Sequence, residues 1–199
     1  MCNDIEQAIA WQAYCEAMQM LAWDVPTIQS DLDLPVRDHV HIRDVGAVIR
    51  PAGNSVELTS MRWGFPPSNP RGTPVFNFKS EGRRFRDSNR CLIPASAFFE
   101  FTGAKSPKTR HRFTPAKGPF LCIAGIWRPA NDNEPPDFTM LTTEPGPDVA
   151  PYHNRQVVVL APEDWPSWLY LAKSEEELLK PSPAGSFLVE TETRSRQTG

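Results

Sequence analysis

The sequence predicts an α+β fold, a single domain with a curved, mostly antiparallel β-sheet or barrel-like core flanked by short helices. Short β-rich segments recur along the 199 residues, and the 21 prolines favour turns and irregular connections between them. No long helical segment separates one strand from the next, so neighbouring strands are expected to pair antiparallel. Because no repeat or linker divides the chain, we predict one domain over residues 1–199, with a mobile tail from about residue 190.

The first element is predicted to be a helix. The segment "DIEQAIAWQAYCEAMQML" places Ile5 and Ile9 among Ala and Gln residues, which is typical of an amphipathic helix. Asn3 or Asp4 would cap this helix. Cys2 would then stand at the helix N-terminus, where the macrodipole favours a thiolate and lowers the thiol pKa.

A loop leads to two β-rich segments, "VHIRDVGAVIR" and "SVELTSMRWGF", which flank the turn signal "PAGN" and are predicted to form a hairpin. A second loop leads to "VFNFKSEG" and then to "CLIPASAFFEF", a short apolar segment interrupted by proline. The later segments predicted as strands are "RHRFTP", "FLCIAGIWRP", "FTMLTTEP" and "QVVVLAP". Two short helices are predicted in "PEDWPSWLY" and "KSEEELLK".

The net charge of −3 argues against a protein that coats nucleic acid indiscriminately. The basic residues nevertheless gather in the centre of the chain. Seven lie between Arg62 and Arg90, and five more lie in residues 103–117, where there is no acid. Either stretch alone is more typical of a solvated loop face. Together, between acidic ends, they indicate a local anion-binding surface.

The cysteines and histidines predict neither a cofactor nor a metal. The four cysteines (Cys2, Cys15, Cys91, Cys122) show no C-x-x-C spacing, so they are expected to be reduced thiols of a cytoplasmic protein. His39 and His41 would share one face of a strand, but one alternating pair is too little to predict a metal site. The sequence shows no apolar run of membrane-spanning length and no secretory leader, so we expect no membrane association.

Cys2 is the first candidate for chemistry, because it directly follows the initiator methionine. Removal of Met1 would leave a free α-amine and a thiol on neighbouring carbons. Such an amine can form an imine with an aldehyde, and the thiol can then close a five-membered thiazolidine. A cysteine at position 2 by chance is the simpler explanation from these residues alone, so the rest of the chain must decide.

Four further residues each have a functional and a structural interpretation. Glu100 in "AFFEF" could be a carboxyl with a raised pKa in an apolar pocket, or a solvent-facing residue of a half-buried strand. Asn77 could orient a reacting group or close a turn. His153 could serve as an acid or base near neutral pH, or bond to backbone. Trp63, beside Arg62, could stack on a nucleobase or belong to the core.

In this order, the motifs resemble those of the SOS response-associated peptidase (SRAP) family of abasic-site processing proteins. The resemblance begins at "MC" and continues through "MRWGF", "FNFKSEG", "RCLIPASAFFEF", "FLCIAGIW" and "LTTEP" to "APYHNRQVVVLAPEDWPSWL". It covers Cys2 to about Leu188, nearly the whole chain. No single motif is decisive, but the ordered set is specific.

The resemblance implies that mature Cys2 captures the aldehyde of an abasic site in single-stranded DNA as a thiazolidine, which shields the lesion during the DNA damage response. Glu100 would shuttle protons, His153 would assist sugar ring opening and release of the crosslink, and Asn77 would position the N-terminus or the sugar. The family label also implies a peptidase that removes the residue ahead of Cys2, and a possible lyase activity.

The residues predicted to bind DNA are Arg62, Trp63, Lys79, Arg83 and Arg84. Lys79 stands where the family has an arginine that holds phosphate, so it keeps the charge but loses the bidentate fork. Asn3 and Asp4 replace a family Gly-Arg pair. An acid at position 4 is expected to repel phosphate.

Two other functions stay open from the sequence. One is an N-terminal-cysteine amidohydrolase or peptidase that acts on a substrate other than DNA. The other is a non-catalytic DNA-binding protein in which Cys2 is incidental. The basic central segments favour a DNA substrate, and the presence of all four reactive positions favours catalysis. We expect a cytoplasmic monomer that associates with the nucleoid after damage.

Overall fold

The computed structural model describes residues 2–23, 37–53, 55–69, 71–104, 106–132 and 134–192, which contain thirteen strands and three α-helices. The strands are β1 (Asp4–Gln7), β2 (Arg37–His41), β3 (Val45–Ala52), β4 (Ser55–Trp63), β5 (Asn77–Lys79), β6 (Asn89–Ala95), β7 (Ala97–Thr102), β8 (Thr109–Pro115), β9 (Leu121–Arg128), β10 (Asp137–Thr143), β11 (Gln156–Val157), β12 (Val159–Leu160) and β13 (Phe187–Glu192). The helices are α1 (Trp11–Met20), α2 (Trp165–Tyr170) and α3 (Glu175–Leu178). A 3₁₀ turn, Pro162–Asp164, leads into α2.

Five of the strands close into a barrel. β3 pairs with β4 along its whole length, which confirms the hairpin predicted around "PAGN". The ring continues antiparallel from β3 to β6, from β6 to β9 and from β9 to β10. β10 then returns to β4 through a parallel pairing of Asp137 with Arg62. The predicted curved, mostly antiparallel and barrel-like core is therefore confirmed, with parallel pairings only along β10 in the described part of the chain.

A second sheet of five strands has the order β13-β8-β7-β1-β2. β1 lies between β7 and β2, with Ile5 opposite both Phe98 and Val40. The short strand β5 runs parallel to β10 and places Asn77 opposite Met140. These pairings bring the start of the chain, β5 and β7 towards one another, and the candidate site lies among them.

The hydrophobic core has two parts. In one part, α1 and α2 pack on the barrel strands and bury Tyr14, Met18 and Trp168. In the other part, barrel residues face the five-stranded sheet, and this part contains Cys2 and Ile5. Residue 2 is thus a member of the core, because it directly precedes β1, an inner strand of the five-stranded sheet.

The N-terminal segment differs from the predicted helix. Residues 4–7 form β1, and α1 begins only at Trp11, with Ala10 as an N-cap that makes no side-chain cap bond. The buried side chain of Gln7 explains the difference. Its Nε2 donates to the carbonyl oxygens of Ala47 and Pro94, and its Oε1 accepts from the Ala47 amide. In a strand conformation, this segment satisfies the polar groups of the Gln7 side chain and also pairs with β2 and β7. These hydrogen bonds outweigh the local helix propensity.

Two further expectations concern the ends and the surface. β13 runs through Glu192 and pairs with β8, so residues 190–192 form part of a strand. The rest of the predicted tail, residues 193–199, lies outside the described residues. Within the described ranges, every helix is too short or too polar to cross a bilayer.

Candidate active site

Cys2 lies at the head of β1 and is 1% exposed. Its Sγ donates to the backbone oxygen of Asp4 over 3.3 Å, and its carbonyl oxygen accepts a 2.6 Å hydrogen bond from Nδ2 of Asn77. Burial raises the thiol pKa of Cys2 well above its usual range, and the negative charge of Glu100 raises it further. The predicted lowering of this pKa by a helix dipole is therefore wrong, because Cys2 precedes a strand and its thiol is desolvated.

Glu100 lies on β7 and is also 1% exposed. Its carboxyl accepts a hydrogen bond from the backbone amide of Cys2. Burial raises the pKa of Glu100 from 4.5 to about 7, although the hydrogen bond from Cys2 acts to lower it. Of the two interpretations of "AFFEF", the structure supports the buried carboxyl with a raised pKa.

Asn77 is fixed at the first position of β5 by the parallel pairing with β10. Its Nδ2 is occupied by the carbonyl of Cys2, whereas its buried Oδ1 has no hydrogen-bond partner among the described residues. A buried amide oxygen without a partner carries a desolvation cost. The Asn77 side chain therefore holds residue 2 through one end and presents an open acceptor at the other.

His153 ends a compact turn that begins at Gly146. The amides of Val149 and Ala150 donate to the Gly146 carbonyl, and the His153 amide donates to the Val149 carbonyl. Its imidazole Nδ1 lies 2.9 Å from the amide nitrogen of Arg155 and 3.0 Å from the Arg155 carbonyl oxygen. An unprotonated Nδ1 accepts from the amide, and a protonated Nδ1 donates to the carbonyl, so the ring can change protonation state without moving.

Arg155 is itself held rigidly. Its guanidinium makes a bidentate pair with Glu81, at 2.6 and 2.9 Å, and donates to the carbonyl and hydroxyl oxygens of Thr142. Burial lowers the pKa of His153, although its hydrogen bond to the Arg155 backbone acts to raise it. The imidazole is therefore favoured in its neutral form near pH 7, which suits a proton acceptor.

Glu100 and His153 face the same cleft, whose volume is 560 Å³. The residues that line it are Asn3, Asp4, His41, Ile42, Glu100, Phe101, Lys108 and His153. Burial shifts the two titratable groups in opposite directions, so that a partly protonated carboxyl and a neutral imidazole coexist near neutral pH. A pair of groups shifted in this way is typical of an acid–base site.

The structure places the residues predicted to bind DNA in different surroundings. Lys79 is exposed, two positions after Asn77 on β5. Arg83 and Arg84 are exposed but line a second cleft of 580 Å³, together with Glu175 and Glu176. The Arg83 guanidinium lies 4.3 Å from the ring centre of Phe78, on the same β5 segment. Lys108, which was not among the predicted residues, lines the cleft that contains Glu100.

The fold places two of the predicted residues where other groups already surround them. Trp63 is completely buried, its indole nitrogen donates to the Phe76 carbonyl and its ring stacks on Phe138. It belongs to the core and offers no face to a nucleobase. Arg62 forms ion pairs with Glu134 and Asp137, because β4 and β10 are neighbours in the barrel. Its charge is therefore largely neutralised within the protein.

Asp4, the acid that was predicted to repel phosphate, is buried beside basic side chains. It is 5% exposed, and its carboxylate lies 3.1 Å from Nδ1 of His39, 3.5 Å from Nδ1 of His41 and 3.7 Å from Nη2 of Arg110. The alternation of His39 and His41 was the only signal of this cluster in the sequence. The parts played by Arg155 and Glu81 had no such signal, since their pairing depends on the fold.

Known proteins resemble this chain in sequence. The model of the SOS response associated peptidase (SRAP) family matches residues 1–193. An abasic site processing protein of Saccharomyces cerevisiae is 26% identical over 175 residues, which cover 79% of this chain and 47% of the yeast protein. The abasic site processing protein YoqW of Bacillus subtilis is 28% identical over 144 residues, covering 64% of each chain. This chain thus spans less than two thirds of the length of these relatives.

Solved structures share the fold. A protein from Bordetella bronchiseptica superposes with a TM-score of 0.74 at 25% identity, covering 97% of this chain and 100% of that one. A protein from Bacteroides thetaiotaomicron gives a TM-score of 0.70 at 20% identity, covering 96% and 91% of the two chains. Together with the family match over almost every residue, these likenesses lead to one conclusion. This chain belongs to the SOS response associated peptidase (SRAP) family.

Proposed function

We propose that this protein is an abasic-site sensor that binds single-stranded DNA and forms a covalent crosslink with the ring-opened sugar through Cys2. Relatives of this chain are named abasic site processing proteins, which supports DNA with an abasic site as the substrate. The proposal includes removal of Met1, since only then does the nitrogen of Cys2 become a free amine. The product is a thiazolidine that shields the lesion.

One observation carries the proposal most directly. The nitrogen that would attack the aldehyde is the nitrogen that already donates to Glu100. The carbonyl of the same residue is held by Asn77 over 2.6 Å. Residue 2 is therefore held by hydrogen bonds at both its nitrogen and its carbonyl, and the nitrogen donates to a carboxyl whose pKa is about 7. Such positioning removes much of the entropic cost of bringing amine and acid together.

The chemistry balances without a cofactor. The Cys2 amine adds to the aldehyde carbon, and the resulting hydroxyl leaves as water to give an imine. The Cys2 sulfur then adds to the imine carbon while the thiol proton moves to the nitrogen. Two new bonds, N–C and S–C, reach the former carbonyl carbon, and one water is released.

Glu100 and His153 suit the proton transfers of this sequence. A carboxyl with a pKa of about 7 can protonate the departing hydroxyl and later accept the thiol proton. The neutral imidazole of His153, on the same cleft, can remove a hydroxyl proton from the closed sugar and so open its ring to the aldehyde. The open acceptor Oδ1 of Asn77 can receive a hydrogen bond from the amine or from the sugar.

Binding of the DNA strand is assigned to exposed cations near the cleft. Lys79 extends from β5 beside Asn77, and Lys108 lines the cleft itself. Both could contact phosphates on either side of the abasic sugar. Arg83 and Arg84 lie further along, at the second cleft, and would contact the strand only if it continued over that surface.

The alternative, an N-terminal-cysteine amidohydrolase or peptidase acting on another substrate, would need a thiolate nucleophile. Burial of Cys2 raises the pKa of its thiol and disfavours that form. Thiazolidine formation makes no such demand, because the amine attacks first. The two functions differ in one requirement, which is an aldehyde on the DNA.

Intact mass spectrometry of the untagged protein with single-stranded DNA that carries one abasic site tests the proposal. The expected adduct has the mass of the DNA plus the protein without Met1, less one water. Cys2→Ala should form no adduct, and Glu100→Gln should form it at least ~100-fold more slowly, as expected for loss of a general acid.

DNA with a tetrahydrofuran residue is the matched control, since it has the shape of an abasic site but no aldehyde. It should bind and never crosslink. An adduct that forms equally with Cys2→Ala, or with Met1 retained, would exclude the thiazolidine. Complete Met1 removal without any adduct would favour the amidohydrolase.

A further inference from the structure

Strands β1 and β2 bring together three side chains that ligate metals in other proteins. Asp4 lies opposite His41 in the antiparallel register, and His39 lies two positions earlier on β2, on the same face. The ligand atoms of the three residues all lie within 4.8 Å of one another. Two histidines and one carboxylate are a common donor set for Zn²⁺ and related divalent ions.

The distances fit a tetrahedral ion. Oδ1 of Asp4 is 3.1 Å from Nδ1 of His39 and 3.5 Å from Nδ1 of His41. Bonds of about 2.0–2.1 Å to a tetrahedral zinc place neighbouring ligand atoms about 3.3 Å apart. Both Nδ1 atoms therefore lie within 3.5 Å of the same carboxylate oxygen, and the two imidazole rings have centres 5.6 Å apart.

The surroundings hold the carboxylate and leave the histidines accessible. The Asp4 side chain is 7% exposed, whereas those of His39 and His41 are 43% and 58% exposed. Oδ2 of Asp4 lies 3.7 Å from Arg110, which orients the carboxylate so that Oδ1 faces the histidines. The charge of Arg110 opposes a cation, and its Nη2 lies 3.3 Å from Nδ1 of His39, a contact that a bound metal would replace. Glu192 pairs with Arg110 at 3.4 Å, and Arg110 also lies over the Phe99 ring.

We propose that Asp4, His39 and His41 form a binding site for a divalent transition-metal ion of the zinc class. Three protein ligands leave a coordination position open. Because Asp4 and His41 line the same cleft as Glu100, a ligand at that position would face the cleft. A water molecule or a phosphate oxygen has the chemistry to fill it. The metal site is independent of the proposed abasic-site function.

Cobalt substitution tests the site. Co²⁺ is titrated into the untagged full-length protein, and its visible absorption reports tetrahedral coordination. One Co²⁺ per chain is expected, displaced by an equivalent of Zn²⁺. His39→Ala and His41→Ala should each weaken Co²⁺ binding by at least ~10-fold. Both side chains are substantially exposed, so these variants keep the core intact.

Two control variants locate the metal. Asp38→Asn removes an exposed carboxylate from the same strand, next to His39 and on the other face, and should bind Co²⁺ like the wild type. Cys2→Ser should also retain binding, since the thiol is not a ligand in this proposal. No tetrahedral absorption at millimolar Co²⁺, or binding that survives in both histidine variants, would overturn the site. Binding lost in Cys2→Ser and kept in the histidine variants would assign the metal to the thiol instead and would equally overturn it.

Discussion

The sulfur and the nitrogen of Cys2 have different surroundings in the folded protein. The thiol is desolvated and stays protonated, which protects it from oxidation and from unrelated electrophiles. The nitrogen faces Glu100, a carboxyl that exchanges its proton near neutral pH. The order of attack in the proposed reaction, amine first and sulfur second, therefore agrees with the state in which the protein holds each group.

The raised pKa of Glu100 predicts how stability depends on pH. The folded protein binds a proton at Glu100 up to about pH 7, whereas the unfolded chain releases it near the ordinary value of 4.5. The native state thus binds more protons between these values, so Glu100 makes the free energy of unfolding fall as pH rises from 4.5 to 7. Glu100→Gln should remove this fall and exceed the wild type in stability above pH 7, by up to about 3 kcal/mol.

Urea unfolding of both proteins at several pH values between 4 and 8 measures this difference. At the acid end the two curves should converge, because the wild-type carboxyl is then protonated in both states. Glu144→Gln is the matched control, since it makes the same change at an exposed position. A stability difference between Glu100→Gln and wild type that does not vary with pH would contradict a raised pKa.

At the scale of elements, the sequence identified most strands and misassigned the first. The β-rich composition and the "PAGN" turn were sufficient to predict the β3–β4 hairpin, because both signals are local in the sequence. Residues 4–7 carry no comparable signal. Their strand depends on the ladder with β7 and on the buried amide of Gln7, whose partners are Ala47 and Pro94. Those partners are distant in the chain, so local periodicity favoured the wrong structure.

In the candidate site, too, some features could be predicted from the sequence and others depend on the fold. The family resemblance was enough to name Cys2, Asn77, Glu100 and His153, and the structure places hydrogen bonds from Asn77 and to Glu100 on residue 2. Whether Trp63 would be a surface platform or a core residue could not be predicted, because its burial follows from barrel closure.

The turn from Gly146 to His153 allows a test at this scale. A Cβ atom at Gly146 would lie 2.0 Å from the backbone oxygen of Ser182, so the turn would have to move. Gly146→Ala is expected to destabilise the protein by about 1–3 kcal/mol. It should also slow crosslinking, because His153 is anchored to the same turn. Thermal unfolding and the rate of adduct formation measure the two effects.

Gly118→Ala is the matched control for this substitution. Gly118 has a φ of +80°, and a Cβ atom there would meet nothing within 4 Å, so alanine costs about 1 kcal/mol of backbone strain without a clash. It should lower stability but leave the crosslinking rate unchanged. If both variants slow crosslinking in proportion to their loss of stability, the turn does not position His153 specifically.

At the scale of the whole molecule, several basic residues from the centre of the sequence form ion pairs and hydrogen bonds within the protein. Arg110 pairs with Asp4 and Glu192, and Arg112 forms ion pairs with Glu6 and Glu190. The Arg90 guanidinium donates to backbone carbonyl oxygens of the α2 segment and of its own loop. The acids at the chain ends and the basic centre are therefore partners across the five-stranded sheet. The number of basic residues in the centre of the sequence therefore overstates the number of cations that are free to bind DNA.

This pairing predicts different salt dependences for two cations that the sequence treated alike. Lys79 is exposed beside the candidate site, whereas Arg62 is paired with Glu134 and Asp137. Each phosphate contact to single-stranded DNA contributes about 0.7 to the slope of log K against log salt, through release of counterions. Lys79→Gln should therefore flatten the slope by about 0.7 and weaken binding most at low salt. Arg62→Gln removes the same charge and should leave the slope unchanged.

Equilibrium binding of an intact, fluorescently labelled oligonucleotide over a range of salt concentrations measures both slopes. Intact DNA has no aldehyde, so the measurement reports non-covalent binding alone. Equal flattening in both variants would mean that total charge, and not the exposure of each cation, governs DNA binding. An unchanged slope in Lys79→Gln would mean that this lysine does not contact a phosphate. The DNA strand would then pass over other cations, such as Lys108, which lines the cleft with Glu100 and His153.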